Sequence, residues 1–115
     1  MAEKNIKVDY DNEEDIMHIS REGDKVKFSF DIELPNGDII VDFGFDGRVV
    51  GLEFFDASGH FPFLRNIKDN KIKAKMSVQY GSNWAQINYE IMVPGEKPII
   101  KEIISPYNRE LILSH

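Results

Sequence analysis

The chain has no cysteine. That excludes disulfide frameworks and every metal site built on thiolates, and it fits a reducing compartment. No apolar run approaches the ~18 residues that a membrane helix needs. The opening MAEKNIKVDYDNEED is too polar and acidic to read as a signal peptide. The expectation is a cytoplasmic protein with no membrane partner. Positive charge is in deficit: 14 Lys and Arg stand against 20 Asp and Glu, a net charge of −6. Nucleic-acid binding draws most of its affinity from cations set against phosphates, so no nucleic-acid partner is expected. The one basic stretch, RNIKDNKIKAK over 65–75, reads as a solvated strand face. Catalytic signatures are missing too. There is no histidine pair at zinc-ligand spacing, no phosphate-binding glycine loop, and no serine in the glycine context of a hydrolase nucleophile. No catalytic residue and no cofactor are expected.

What is present is alternation of apolar and polar residues with period two, the signal of half-buried strands. In KVKFSFDIEL (25–34), Val26, Phe28, Phe30, Ile32 and Leu34 share a face. Asn36-Gly37 then reads as a two-residue hairpin turn, because both residues tolerate positive φ. IIVDFGFD (39–46) follows, then Asp46-Gly47 as a second such turn, then RVVGLEFF (48–55). The two turns imply one consistent register. Leu34, Ile32, Phe30 and Phe28 oppose Ile39, Val41, Phe43 and Phe45, and Phe43, Val41 and Ile39 oppose Val50, Leu52 and Phe54. The apolar positions form one block three strands wide, and a one-residue slip would turn a whole strand outward.

The other face then carries acids and bare backbone. Asp31 is placed directly opposite Asp42, which lies beside Gly51, with Glu33 and Glu53 one row away and Gly44 in the row on the other side. Like charges directly opposed on a sheet are destabilising unless compensated. Three compensations are open: a divalent cation, for which oxygen-only ligands suit Ca²⁺, Mg²⁺ or Mn²⁺; a lysine or arginine; or screening on a wet surface. Gly44 and Gly51 leave a shallow place for something to approach.

Upstream, NIKVDY and DIMHIS read as two short strands at the edge of the same sheet, joined by the acidic loop DNEED. His18 sits in the second of them as a half-buried structural histidine. DASGHFPFLRNIKDN (56–70) breaks the alternation, and Pro62 suits the first turn of a short helix near 59–67. Asp56 and His60 lie at this joint, where they could pair as ligands or as acid and base. KIKAKMSVQY (71–80) and WAQINYEIMV (84–93) form a second hairpin, IIKEIIS (99–105) a further strand, PYNRE a turn, and LILS closes the chain. The fold class is mainly β. One domain over 1–115 is expected, with antiparallel meanders packed as a sandwich or half-open barrel and the second meander over 66–115.

VDYDNEEDIMHI and IIVDFGFDGRVVGLEFFDAS together resemble the small family known as domain of unknown function 2283. The shared pattern is a Tyr-Asp opening at Tyr10 and Asp11, an acid at Asp15 before a short apolar strand, and a hairpin running from Ile39 to Asp56-Ala57-Ser58. The resemblance covers about residues 6–58 and departs at His18, where the family usually carries Tyr. It implies a small, mostly β domain of bacteria or archaea with no assigned activity.

Two functions follow as expectations. The first is a non-enzymatic interaction module, a homodimer or the partner of another small protein. It would meet that chain through the Gly44/Gly51 face or the N-terminal edge strand, since unpaired edges invite pairing. The alternative is a small-ligand or divalent-metal-binding protein, or an enzyme, using the acidic hairpin face. The candidate ligand or interaction residues are Asp31, Asp42, Gly44, Gly51, Glu53, Asp56 and His60.

Overall fold

The computed structural model describes residues 6–67 and 71–114. Lys68 of the basic stretch and the terminal His115 lie outside them. The chain runs β1 (Ile6–Asp11), β2 (Ile16–Arg21), β3 (Val26–Ile32), β4 (Ile39–Gly44), β5 (Val49–Phe55), helix α1 (Ala57–His60), a 3-10 turn (Pro62–Asn66), β6 (Lys73–Tyr80), β7 (Trp84–Met92), β8 (Ile99–Pro106) and helix α2 (Arg109–Ser114). Five strands form one antiparallel sheet in the order β1-β2-β5-β4-β3, and three form a second in the order β6-β7-β8.

The two sheets pack as a sandwich. Met17 and Ile19 from β2, Ile39, Val41 and Phe43 from β4, and Leu52 and Phe54 from β5 turn one face of the larger sheet inward. Ala85, Ile87, Tyr89 and Ile91 of β7 turn inward from the smaller sheet. Aromatic contacts tie the layers together: Phe54 lies 5.1 Å from Tyr89, and Phe43 lies 5.9 Å from Tyr107 between ring centroids. Each such side chain, fully buried, contributes about 1.5–3 kcal/mol relative to an exposed one. The helical joint is two short pieces rather than one helix. Pro62 opens the second piece, and Phe61 and Leu64 drop into the core. The closing LILS is helical, with Asn108 Oδ1 capping the Leu111 N–H.

Two registers differ from the sequence expectation. Asn36-Gly37 is not a two-residue hairpin loop. The connection spans 33–38, so β3 slides by two residues and Ile32, Phe30 and Phe28 oppose Ile39, Val41 and Phe43. A slide of two keeps every side chain on its face, which is why the apolar pattern does not detect it. Asp31 therefore opposes Ile40, and Ser29 opposes Asp42. The second difference is a bulge. β4 and β5 pair as expected from Ile39–Phe54 to Asp42–Gly51, and then Phe43 pairs with Val49. The extra residue turns Val49 rather than Val50 toward the core. Phe45 lies beyond the last ladder position, in the turn, and is 65% exposed. Phe30, on the edge strand β3, is 37% exposed.

Candidate functional site

The candidate residues separate into four places. Asp56 and His60 lie at the joint after β5. The Asp15 carboxylate accepts hydrogen bonds from Tyr10 Oη (2.8 Å), Ser58 N (2.9 Å) and Ser58 Oγ (2.6 Å), while its carbonyl accepts from Ala57 N (2.9 Å). Asp15 and Asp56 both adopt left-handed backbone, with φ of 56° and 51°, to make the sharp entries this knot needs. Burial alone would raise the Asp15 pKa, but the hydrogen bonds from Ser58 and Tyr10 outweigh it and hold the carboxyl below its ordinary value.

His60 does not pair with Asp56. It is buried, and its Nε2 donates to Gly37 O at 2.8 Å while its Nδ1 accepts from Asn36 Nδ2 at 3.2 Å. One neutral tautomer satisfies both bonds. Desolvation, with the nearby Lys101 charge, keeps its pKa below the ordinary histidine value. This histidine binds the 36–37 loop to α1, which accounts for the long connection between β3 and β4. Gly37 is obligatory there: at φ 126° an added Cβ would lie 2.1 Å from Phe55 O.

Asp31 stands apart as well. It is exposed at the β3 edge, and desolvation and the neighbouring Asp38 raise its pKa. Gly44 is not a bare approach surface either. The bulged Val50 fills the space above it, with Cγ1 2.8 Å from where a Cβ would stand.

The remaining residues, Asp42, Glu53 and Gly51, meet His18 on the outward face of the larger sheet. β2 pairs with β5 so that His18 opposes Glu53. Asp42 opposes Gly51 on the other side of β5. Gly51 lets the imidazole lean diagonally across its backbone, with His18 Nε2 only 3.3 Å from the missing Cβ. That lean brings His18 Nε2 to 3.2 Å from Asp42 Oδ2. The two form an ion pair when the imidazole is protonated, and both atoms are buried with no other hydrogen-bond partner. Asp42 is 1% exposed, and its other oxygen accepts from Ser29 Oγ at 2.7 Å. One ligand atom from each of His18, Asp42 and Glu53 lies within 4.8 Å of the others.

The electrostatics follow from this crowding. Desolvation and then the adjacent Asp42 raise the Glu53 pKa to about 7. Desolvation pulls Asp42 the same way, but the facing His18 and the hydrogen bonds from Glu53 and Ser29 outweigh it and hold Asp42 below its ordinary value. His18 is raised, first by its contact with Asp42, against its own desolvation. Near neutral pH the cluster needs one compensating positive charge between two carboxylates. A proton supplies it at His18 or by neutralising Glu53, and a cation could supply it at the centre.

The set is one imidazole nitrogen and two carboxylate oxygens. It therefore suits a borderline or transition ion such as Zn²⁺ or Mn²⁺ better than the oxygen-loving Ca²⁺ or Mg²⁺ expected for acids alone. Ligands about 2.1 Å from a tetrahedral ion stand about 3.4 Å apart, so the triad closes with a side-chain contraction of roughly 1 Å. Sequence reasoning missed His18 as a member. The available signal was its parity, opposite to Met17 and Ile19, which places it on the acidic face once β2 is set beside β5.

Among the described residues, no helix is long and apolar enough to cross a membrane. No solved structure matches the chain. An uncharacterised protein of Methanocaldococcus jannaschii is 32% identical over 101 residues, covering 86% of this chain and 84% of that relative. Residues 7–58, which hold the Asp15 knot and all three ligand candidates, match the protein of unknown function family DUF2283, and the chain belongs to that family.

Proposed function

We propose that this protein binds a divalent cation of the Zn²⁺ or Mn²⁺ class through His18, Asp42 and Glu53. The observation that carries the reading is the buried pair His18 Nε2 and Asp42 Oδ2, 3.2 Å apart with no further hydrogen-bond partner, gathered with Glu53 so that one ligand atom of each lies within 4.8 Å of the others. Two carboxylates crowded around one imidazole need compensating positive charge, which a proton or a bound ion can supply. Three protein ligands leave coordination positions on the solvent side, so the ion would remain accessible to a small molecule or to a partner's side chain. The test is thermal unfolding of the metal-stripped chain with Zn²⁺, Mn²⁺ or Mg²⁺. Saturation at about 100 times Kd stabilises by about 2.7 kcal/mol. The rise in Tm is expected with Zn²⁺ or Mn²⁺ and is expected to vanish in Asp42→Asn and Glu53→Gln while persisting in Asp31→Asn. An undiminished rise in Asp42→Asn overturns the reading.

The interaction reading keeps support from a different place than the Gly44/Gly51 face. Among the described residues β8 pairs only with β7, and its outward residues Ile100 and Ile104 are 69% and 61% exposed. An edge strand with two exposed isoleucines favours association with another chain. Sedimentation of the native chain beside Ile104→Lys tests it. A dimer that the substitution dissociates supports this reading, and a monomer in both removes self-association from it.

A further inference from the structure

Three of the chain's four arginines, Arg21, Arg48 and Arg109, gather around the aromatic pair Tyr80 and Tyr107, whose ring centroids are 5.0 Å apart. In an acidic protein this is a local reversal of charge. Above the pair lies a cleft of about 540 Å³, between the β4–β5 turn, the β6–β7 turn and the start of α2. That volume falls within the usual range for small-molecule sites.

The polar groups on its wall are donors. The Arg48 guanidinium stacks over the Tyr80 ring at 5.6 Å from its centroid, which holds the fork in place. Arg109 donates Nε to Asp46 O at 3.2 Å, anchoring its stem and leaving its terminal nitrogens. Neither guanidinium is ion-paired with a carboxylate among the described residues, although Glu110 lies on the rim. Tyr80 Oη accepts from Val49 N, so its own proton is available to donate. Asn108 Oδ1 is taken by Leu111 N, which leaves its amide N–H groups, and Ser82 adds a hydroxyl.

We propose that this cleft binds a phosphate monoester, with Arg48 and Arg109 as the forks that hold the dianion. Planar guanidinium groups match phosphate oxygens two at a time, which a lysine does not. The cleft is lined by none of His18, Asp42 and Glu53, so the proposal does not rest on the cation reading.

The chain carries its own reporter. Trp84, the single tryptophan, packs over Gly81 on the cleft wall, where an added Cβ would lie 2.2 Å from the indole. The experiment titrates the full chain with inorganic phosphate, glycerol 3-phosphate and malonate at constant ionic strength. It follows Trp84 emission and binding heat. Saturable binding of both phosphates is expected, weakened about tenfold or more in Arg48→Gln and also weakened in Arg48→Lys. Arg48 is exposed, so circular dichroism should show an unchanged fold. Equal binding by Arg48→Gln, or no saturable phosphate binding by either readout at millimolar concentration, overturns the proposal. Malonate binding as tightly as phosphate overturns the assignment to phosphate monoesters.

Discussion

Removing the Asp15 carboxylate should reveal what the family signature is for. Its two oxygens accept three hydrogen bonds, from Tyr10 Oη, Ser58 N and Ser58 Oγ, and so tie the β1–β2 turn to the start of α1 across 43 residues of chain. In Asp15→Ala each half-buried donor loses its acceptor, at about 1 kcal/mol apiece after partial replacement by water. Alanine also fits the left-handed backbone at this position less well than Asp does, adding about 1 kcal/mol. The sum is about 4 kcal/mol, a large share of the ~5–15 kcal/mol that holds a domain together. That corresponds to a fall in Tm of roughly 12 °C or more. Asp15→Asn keeps one carbonyl acceptor and the tolerance for this backbone, so it should cost about 1–2 kcal/mol. Urea unfolding of both variants, with a double-mutant cycle to Ser58→Ala, gives the magnitudes. An Asp15→Ala variant within about 1 kcal/mol of the parent, or no coupling to Ser58, would refute the knot as a source of stability.

Other substitutions probe the remaining contacts. Gly37→Ala drives a Cβ against Phe55 O from a backbone of φ 126°. It should cost about 3 kcal/mol or more in urea unfolding, and a loss under about 1 kcal/mol would show that the 36–37 loop is not held as described. His60 is neutral when folded and has a depressed pKa, so its contribution is fully present above about pH 6.5 and is lost as pH falls through the folded pKa. The decline in Tm below neutral pH should flatten in His60→Gln, and an identical slope would clear His60 of that role. Ser29→Ala leaves Asp42 Oδ1 without its donor in a site that is 1% exposed. It should cost about 1–3 kcal/mol at neutral pH by urea unfolding, and no loss would mean that water replaces the hydroxyl.

The strands were legible because burial on one side writes itself into alternation. β3, β4, β5, β6 and β7 all follow the period-two pattern, and the pairing of Val41 with Leu52 needed only that pattern and a turn. The displaced registers were not legible, and the reason is specific. The loop 33–38 is fixed by His60, more than 20 residues away, reaching back to Gly37. Local turn chemistry favours Asn-Gly as a two-residue loop, and the distant histidine overrides it. The bulge at Val50 is similarly silent, since Val49 and Val50 are both apolar and either could face the core. α2 was hidden for another reason: Leu111, Ile112 and Leu113 form an unbroken apolar run with no period to read, and only Ile112 is buried.

The site was half legible for a related reason. The acids of one hairpin could be placed in rows from sequence, because the register of β4 on β5 was readable. Asp31 entered the cluster only through the slipped register, and leaves it when Ser29 takes its place opposite Asp42. His18 could not be placed, because β2 joins the sheet beside β5 after two intervening strands, and no local pattern encodes that neighbour. Once it does, the chemistry changes in kind. Acids alone on a wet face need no more than screening. An imidazole seated over Gly51 stands 3.2 Å from the buried Asp42 Oδ2, and beside it desolvation and Asp42 push the Glu53 pKa up to about 7 against the opposing charge of His18. A glycine that reads in sequence as an opening for a partner chain is filled in the fold by a side chain of its own, and that filling turns an acidic surface into a candidate ligand set.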